Sequence, residues 1–301
     1  MTTSEALPPM QQRYRYSAIV DRAPLRWPNG ARVAVWVVPN VEHFRFDLPA
    51  VALCPLDVSP DVLNYSWRDY GARVGVWRLM DVMDRHDIRG TVALNSDVCE
   101  LYPRIIEAGQ ARGWEWMGHA PNNSMLINRQ SEADERGLIA ETLDVIAQRV
   151  GARPRGWLSP ALTESSRTLD LLAELGVDYV ADWVNDEQPY PMAVRSGRMT
   201  SIPYSIEVND APFFLIQKQS AEAFGTMIKD QFDQLYEDGA ASARVMAIAL
   251  HPYIIGQPFR SRYLADALAH IAARQDVWFA TGSEIVDAYR AATAGLPADR
   301  A

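Results

Sequence analysis

The chain has 301 residues, of which 48% are hydrophobic and 22% charged, a composition typical of soluble globular proteins that excludes a disordered, collagen-like or coiled-coil chain. Its formal net charge is −9 at pH 7, whereas binding of nucleic acid or of anionic lipid requires clustered positive charge. We therefore expect the partner to be a small-molecule substrate, with no nucleic acid and no membrane.

Cysteine usage and the first residues indicate the compartment. Cys54 and Cys99 are too few for a disulfide framework or for a zinc site of their own. The first 30 residues lack the apolar run of a signal peptide, and no later run approaches the roughly 20 apolar residues that span a bilayer. These features predict a cytoplasmic protein.

Short apolar runs alternate with longer amphipathic stretches. The run at 33–38 is β-branched and aromatic, which indicates a buried strand of a parallel sheet. Seven more strands are predicted, at residues 90–94, 114–118, 154–158, 177–181, 202–208, 245–250 and 277–280. Apolar spacings of three and four predict helices at 75–86, 132–150, 166–175, 221–236, 263–273 and 283–292. Ser131 has the position of an N-cap for the helix at 132–150.

This alternation predicts an α/β fold, a single-domain barrel of about seven to eight parallel strands rather than a two-domain open sheet. The predicted division is an N-terminal extension packing on the barrel (1–30), a catalytic barrel (31–292) and a C-terminal tail (293–301). The stretch at 42–65 has no periodicity and contains three prolines. Such long loops tend to be functional, so we expect it to lie over the mouth of the active site.

Polar residues follow the predicted strands abruptly, at the positions where a parallel barrel carries its catalytic side chains. Each of them singly could be structural, but their recurrence at equivalent strand ends favours one shared site. We expect Glu42, His119 and His251 to form its centre. Asp182 has two interpretations, a group that orients a histidine or a substrate amide and a turn cap, and Asn209-Asp210 is open in the same way. The other candidates are Asn40, Asn122, Asn123, Ser159 and Trp183.

Several familiar sites are absent. Ser159 lacks the glycine spacing of a nucleophile elbow, and no glycine-rich phosphate loop or dinucleotide fingerprint follows any strand. The only lysines are Lys218 and Lys229, which leaves Schiff-base chemistry few candidates. Cys99 has no evident activating partner, so we expect a buried, inert thiol.

Six segments resemble the polysaccharide deacetylase (NodB-homology) superfamily, and within it the branch of allantoinases and cyclic-imide hydrolases. The similarity extends over roughly residues 14–292, and its segments are 36–42 (WVVPNVE), 70–78 (YGARVGVWR), 113–119 (GWEWMGH), 154–157 (PRGW), 203–204 with 209–210, and 251–260. The resemblance implies a distorted barrel of parallel strands with helices outside. It also implies relatives that are often multimers, so we expect a homo-oligomer, a dimer or tetramer.

The deacetylase pattern is incomplete here. Where deacetylases have an Asp base and a metal-binding Asp, this chain has Asn40 and Glu42, and Asn123 stands at the place of the second metal-binding histidine. The arginine expected after the fourth strand is replaced within residues 157–160. The allantoinase-like branch is similar in having Glu in the first motif and one His in the second. This likeness implies that no tightly bound metal is required.

The leading hypothesis is an amidohydrolase, acting on carbon–nitrogen bonds other than peptide bonds, that opens a small cyclic amide, imide or ureide with water. Glu42 or His119 would accept the proton of water, and His251 would donate one to the leaving nitrogen. Asn122, Asn123 or loop amides would stabilise the oxyanion. Trp157, Trp183 and Tyr204 either enclose a planar substrate or pack the barrel rim.

Two alternatives remain. The first is a metal-dependent N-deacetylase or deformylase in which Glu42, His119 and His251 hold one divalent ion, zinc. The second is an inactive barrel that binds a small ligand.

Overall fold

The apolar runs of the sequence form the sheet at the centre of the molecule. The computed structural model describes residues 11–48 and 59–296, and within them nine strands form one sheet. The strands are β1 (Val33–Val41), β2 (Thr91–Leu94), β3 (Glu115–Gly118), β4 (Gly156–Trp157), β5 (Tyr179–Val180), β6 (Tyr190–Met192), β7 (Met199–Ser201), β8 (Arg244–Leu250) and β9 (Val277–Phe279).

The sheet is curled and mostly parallel. Its spatial order is β6-β7-β5-β4-β3-β2-β1-β8, with β9 beside β1, and the β6–β7 pair is the antiparallel one. β1 pairs along its length with β8, from Val33 opposite Arg244 to Pro39 opposite Leu250. Its other neighbours are β9 at its start and β2 at its end. The predicted α/β fold with a distorted barrel is confirmed, as a half-barrel of this curled sheet.

Helices connect the strands. They are α1 (Val62–Tyr70), α2 (Val76–Asp84), α3 (Asp97–Leu101), α4 (Pro103–Ala111), α5 (Glu132–Val150), α6 (Thr168–Glu174), α7 (Ala221–Asp238), α8 (Pro252–Ile255), α9 (Pro258–Ala272) and α10 (Gly282–Ala292). Short π-helical turns lie at Gly71–Gly75 and Pro212–Ile216. Ser131 caps α5 as predicted, since its side chain accepts a hydrogen bond from the Asp134 amide.

Alternation along the strands decides which residues face the barrel interior. On β1, Val33, Val35 and Val37 pack in a cluster with residues of α2, α7 and α9, whereas Ala34, Trp36 and Val38 pack in a second cluster inside the sheet. On β8 the alternation is the same, with Ala247 and Ala249 inside. Because successive strand side chains point to opposite faces, the residues after these strands inherit a fixed direction.

The predicted strand at 202–208 is wrong. β7 ends at Ser201, and Pro203 follows Ile202, whose amide still bonds to the Val180 carbonyl at 2.9 Å. Proline has no N–H to donate to a ladder, so the predicted strand does not form, although the Val208 carbonyl at its end accepts a hydrogen bond from the Ala249 amide at 3.0 Å. The neighbouring strand β6 was not predicted, nor were α1, α3, α4 and α8.

The loop prediction at 42–65 is tested only in part. Residues 49–58 lie outside the described part of the chain, and α1 occupies the end of the predicted loop. The described start of the stretch does contact the polar strand ends, because the Asn123 amide donates to the His43 carbonyl at 2.9 Å and the His43 amide to Asn95 Oδ1 at 2.8 Å.

The described part of the N-terminal extension contacts the barrel. Arg22 and Asp186 form an ion pair of 2.6 Å, and Trp27 Nε1 donates to the Arg244 carbonyl at 2.7 Å. The proposed division at residues 30 and 293 stays a prediction. Among the described residues, no helix has the length and apolarity needed to cross a membrane. Cys99 is buried, and burial raises the pKa of its thiol to about 11.

Candidate active site

Three predicted residues come together where β1, β3 and β8 end. Glu42 Oε1 lies 3.4 Å from His119 Nε2 and 3.5 Å from His251 Nε2. Glu42 continues the inward-facing positions of β1, and His251 does the same for β8. The side chains are nearly buried, at 7% exposure for Glu42 and 3% for His119. Strand alternation therefore assembles the predicted centre.

Each histidine is held by its other ring nitrogen. His119 Nδ1 lies 2.6 Å from the Leu158 carbonyl, which can only accept a hydrogen bond, so this nitrogen carries a proton. His251 Nδ1 lies 2.7 Å from Asp210 Oδ1, and the His251 amide also donates to the Asp210 carboxylate. Both Nε2 atoms are thereby directed at Glu42.

Charge pairing opposes the effect of burial on this centre. Burial on its own would raise the pKa of Glu42, but the charge of His251 and hydrogen bonds from both histidines outweigh it and lower that pKa. Burial would lower the pKa of His251, but Glu42 and Asp210 raise it to about 10. Near neutral pH the centre therefore pairs a Glu42 carboxylate with a His251 imidazolium.

Asn40 lies on the same inward face but is bonded within the protein. Its Nδ2 donates to the Val38 carbonyl at 3.2 Å and to the Leu250 carbonyl at 3.4 Å. Its Oδ1 accepts from the Tyr204 hydroxyl at 3.2 Å. Asn40 and Tyr204 are both buried, so this pair ties β1 to the chain after β7. Tyr204 also lines a cavity together with Asn185 and Gln231.

Asn122 and Asn123 belong to the loop that follows His119. Asn122 Nδ2 donates to Asp97 at 2.9 Å, and Asn123 Oδ1 accepts from Asn95 Nδ2 at 3.0 Å. Asn95 also donates to the His119 carbonyl. One of the two N–H groups of Asn122 Nδ2 is therefore used by Asp97, and its role as an oxyanion donor stays a prediction.

Ser159 and Asp182 form a second buried polar group. The Ser159 amide and hydroxyl donate to the two oxygens of Asp182, at 2.7 and 2.6 Å. Of the two interpretations of Asp182, the geometry favours the turn cap, because its carboxylate holds the loop after β4. Trp157 Nε1 donates to Ser159 Oγ at 3.1 Å, and Trp157 is 0% exposed. Trp157 is therefore barrel packing and cannot enclose a substrate.

Trp183 is half-buried and bonds to Glu164, a residue that the sequence did not indicate. Its Nε1 donates to Glu164 Oε1 at 3.0 Å. Burial, followed by the charge of Asp182, raises the pKa of Glu164, so these two carboxyl groups share a proton. Glu164 comes from the turn before α6, which has no strand-end pattern.

Arg68 was also missed. It lies on α1 and lines one small pocket together with Glu42, His43, Tyr65, Asp69 and Tyr102. A signal was present in the sequence, because Arg68 lies two positions before the segment at 70–78 that carries the family resemblance. The order of residues alone did not indicate that α1 returns to Glu42.

The fit of a metal ion depends on the donors around Glu42. Two imidazole Nε2 atoms and a carboxylate are the kind of ligands found in catalytic zinc sites. Among the described residues, however, no group of three or more His, Cys, Asp or Glu side chains is spaced to hold an ion. Asn123, at the place of a further ligand, bonds to Asn95. The arrangement does not fit a tightly held metal, and we derive no step through one.

Comparison with known proteins finds similarity to polysaccharide deacetylases. Residues 65–180 match the family model described as polysaccharide deacetylase. A Pseudomonas aeruginosa protein provisionally named a polysaccharide deacetylase has a solved structure with a TM-score of 0.80 and 29% identity, over 88% of this chain and 93% of that one. Residues 65–180 of this chain therefore match a polysaccharide deacetylase domain, and its structural neighbours are of the NodB-homology superfamily.

Two further members of the superfamily are similar over nearly the whole chain. The structure of PuuE allantoinase gives a TM-score of 0.79 at 27% identity, over 88% of this chain and 92% of that one. A provisionally named polysaccharide deacetylase of Schizosaccharomyces pombe is 28% identical over 309 aligned residues, 90% of this chain and 94% of the relative. The deacetylase family and the allantoinase neighbour together support an enzyme that hydrolyses carbon–nitrogen bonds.

Proposed function

We propose that this protein opens the ring of a small cyclic amide, imide or ureide by hydrolysis. The observation that carries the proposal is the Glu42–His119–His251 centre, with both Nε2 atoms within 3.5 Å of one carboxylate oxygen. It offers proton acceptors and a protonated donor in one buried place. The likeness to an allantoinase, an enzyme named for a cyclic ureide, supports ring opening.

The reaction divides the two proton transfers between the two sides of the centre. Water would lie against the Glu42 carboxylate and His119 Nε2, and either Glu42 or His119 would accept its proton. After attack on the ring carbonyl, the C–N bond breaks and the nitrogen takes a proton from His251 Nε2. This donation is required because an amide anion is a very poor leaving group. The product carries a new carboxylate and a free amide or amine.

Of the two side chains predicted as oxyanion donors, Asn122 donates to Asp97, so we assign the role to Asn123. Its Oδ1 is used by Asn95, and its Nδ2 is the group we assign to the developing oxyanion. Donors of this kind contribute about 10²–10³ to kcat.

A screen for ring opening tests the function. Hydantoins, imides, lactams and ureides would be assayed for ring opening, and N-acetylated sugars for release of acetate. Glu42→Gln keeps the volume but removes the carboxylate, so we expect kcat to fall by about 10²–10⁴. Glu141→Gln, an exposed carboxylate on α5, is the control and should keep full activity. Retention of more than about a tenth of kcat in Glu42→Gln would contradict the assigned role.

A metal-dependent deacetylase is the second candidate, favoured by the two Nε2 atoms that face one carboxylate. Prolonged chelation, with metal content measured in the same samples, separates the candidates. We expect ring opening to survive chelation. Complete loss that zinc restores, together with release of acetate, would support the deacetylase. No turnover at all, with a saturable thermal shift by a ring compound, would support an inactive binding barrel.

We also propose a cytoplasmic homo-oligomer, a dimer or tetramer, that acts on small molecules. Light scattering of the purified chain during size-exclusion chromatography tests the assembly, and fractionation of the source cells tests the location. A monomer at micromolar concentration would contradict the first, and enrichment outside the cytoplasm the second.

A further inference from the structure

A buried guanidinium lies beside Glu42, and the hydrolysis described above does not use it. Arg68 is 8% exposed and lines the same small pocket as Glu42. Its charge also acts on Tyr253, as does the charge of Glu42. Arg68 is therefore close to the place where a substrate must meet the Glu42 carboxylate.

Aromatic rings enclose this guanidinium, and two of its three nitrogens have no acceptor among the described residues. Its central carbon lies 3.8 Å from the centre of the Phe44 ring, and Trp67 and Tyr253 lie near 6 Å, at 5.9 and 6.0 Å. Its Nε and Nη1 are buried, and neither has a hydrogen-bond partner within residues 11–48 and 59–296. A buried charged donor without an acceptor is costly, so the geometry favours an acceptor that a ligand brings.

The surrounding charges decide what kind of acceptor fits. Glu42 and Asp69 line the same pocket, and Glu42 is held as a carboxylate. An anionic ligand group would be repelled by such neighbours. A neutral carbonyl oxygen accepts hydrogen bonds without adding charge, and the planar guanidinium fork suits an acceptor in the plane of a flat ring.

We propose that Arg68 binds the ring carbonyl that is not attacked, and so selects substrates with two carbonyls, cyclic imides and ureides, over lactams with one. This inference rests on the proposed function, because it requires a ring at the Glu42 centre. Arg68 is then a specificity residue that touches the substrate. The bond that breaks remains under the control of Glu42, His119 and His251.

Binding without turnover provides the test. The full-length Glu42→Gln protein would be titrated by calorimetry with glutarimide and with δ-valerolactam, which have equal ring size but differ in the second carbonyl. On the Glu42→Gln background, Arg68→Met removes the charged fork while keeping an apolar stem against Phe44. Glutarate is the anionic probe; it has no ring to open, so it would be titrated into the protein with Glu42 intact, with and without Arg68→Met. Arg73→Met is the matched control, since Arg73 lies five positions on and its side chain is 75% exposed.

We expect Arg68→Met to weaken glutarimide binding by about 10- to 100-fold, the range for a hydrogen bond to a charged group. Binding of δ-valerolactam should be unchanged, and Arg73→Met should alter neither. Arg68→Lys keeps the charge but not the planar fork, so it should recover only part of the preference. If Arg68→Met fails to fold, as judged by circular dichroism, the glutarimide-to-lactam ratio in Arg68→Lys carries the comparison.

Several results would overturn the inference. These are an equal loss for both rings, no loss for either, no saturable binding of glutarimide, or tighter binding of glutarate that depends on Arg68. Turnover by the wild-type protein is measured separately. If glutarimide binds in an Arg68-dependent way but its ring is not opened, the proposed reaction is contradicted and the carbonyl site is supported. If the ring is opened equally well with and without Arg68, the reaction is supported and the carbonyl site is contradicted.

Discussion

At the scale of single residues, Asp210 helps to set the pH at which His251 loses its proton. Asp210 Oδ1 lies 2.7 Å from His251 Nδ1, and its charge helps raise the pKa of His251 to about 10. Removing a negative neighbour disfavours the imidazolium. Asp210→Asn should therefore lower the pKa of His251, so that the acid is lost at a lower pH.

The measurement is the pH profile of kcat for the preferred ring substrate. We expect the alkaline limb of Asp210→Asn to move to lower pH, with kcat reduced most above pH 8. Asp233→Asn is the control. Asp233 Oδ1 lies 2.9 Å from His270 Nε2, and this pair is not part of the site. A profile that falls uniformly without a shift would show that Asp210 only supports the fold.

Glu164 makes stability depend on pH in the opposite direction from most carboxylates. Burial beside Asp182 raises its pKa in the folded state, so the folded protein holds a proton that the unfolded chain releases. Between the unfolded and folded pKa values the native state binds more protons, and the free energy of unfolding falls as pH rises. Glu164→Gln keeps the hydrogen bonds without the proton.

We expect Glu164→Gln to leave the free energy of unfolding nearly unchanged at pH 5 and to increase it at pH 8.5, as measured by urea denaturation. Glu141→Gln, on the exposed face of α5, should change neither. The same slope with pH in Glu164→Gln and in the wild type would refute the shared proton.

The sequence predicts residues that strands place, and it misses residues that loops and helices bring from elsewhere. Glu42 and His251 are predictable because alternation fixes the side on which a strand ends. Arg68 and Glu164 are not, because nothing in their own segments states which strand ends they face. The sequence leaves the role of Trp157 open, and its burial with the bond to Ser159 favours packing. The bond from Asn122 to Asp97 is likewise not indicated by the sequence.

At the scale of elements, the contact between the π-helical turn Gly71–Gly75 and α8 holds the segment after His251 in place. A Cβ on Gly75 would lie 2.0 Å from the Pro252 carbonyl oxygen. Such a contact is impossible without moving backbone. Gly75→Ala should destabilise the fold by about 2 kcal/mol or more and should also lower activity by displacing His251.

Gly137→Ala tests the same substitution on α5, where nothing lies within 4 Å of the new Cβ. It should stabilise the protein by about 0.5–1 kcal/mol, because alanine favours a helix over glycine. Chemical denaturation and kcat of both variants provide the comparison. Equal stability of the two variants would show that α8 yields without cost.

The long elements were predicted well and the short ones poorly. The predicted bounds of α5 match the observed Glu132–Val150, since three-and-four spacing over many residues leaves few alternatives. β4 and β5 shrink to two residues each. The apolar stretch at 202–208 has strand composition, but the missing N–H of Pro203 is a stronger determinant than composition.

At the scale of the whole molecule, we expect the described N-terminal segment to stabilise the barrel. Both Nη atoms of Arg22 bond to Asp186, at 2.8 and 2.6 Å, and the two side chains are 9% and 12% exposed. Removing one partner leaves a largely buried charge unpaired. Arg22→Met should reduce the free energy of unfolding by about 3 kcal/mol.

The exposed pair Arg45–Asp47 is the matched control, with side chains 46% and 60% exposed. Arg45→Met should have no measurable effect on unfolding by urea, because exposed ion pairs contribute little. A similarly small effect of Arg22→Met would show that residues 11–30 lie on the barrel without stabilising it.

The pairing of β1 has a consequence for folding during synthesis on the ribosome. Val33 pairs with Arg244 and with Val277, so the strand that leads to Glu42 waits for partners encoded in about the last fifth of the chain. Until then its apolar edge stays open, which is a hazard for aggregation. His251 follows the strand that closes this edge. A nascent chain therefore becomes foldable and gains its proton donor at nearly the same moment of synthesis.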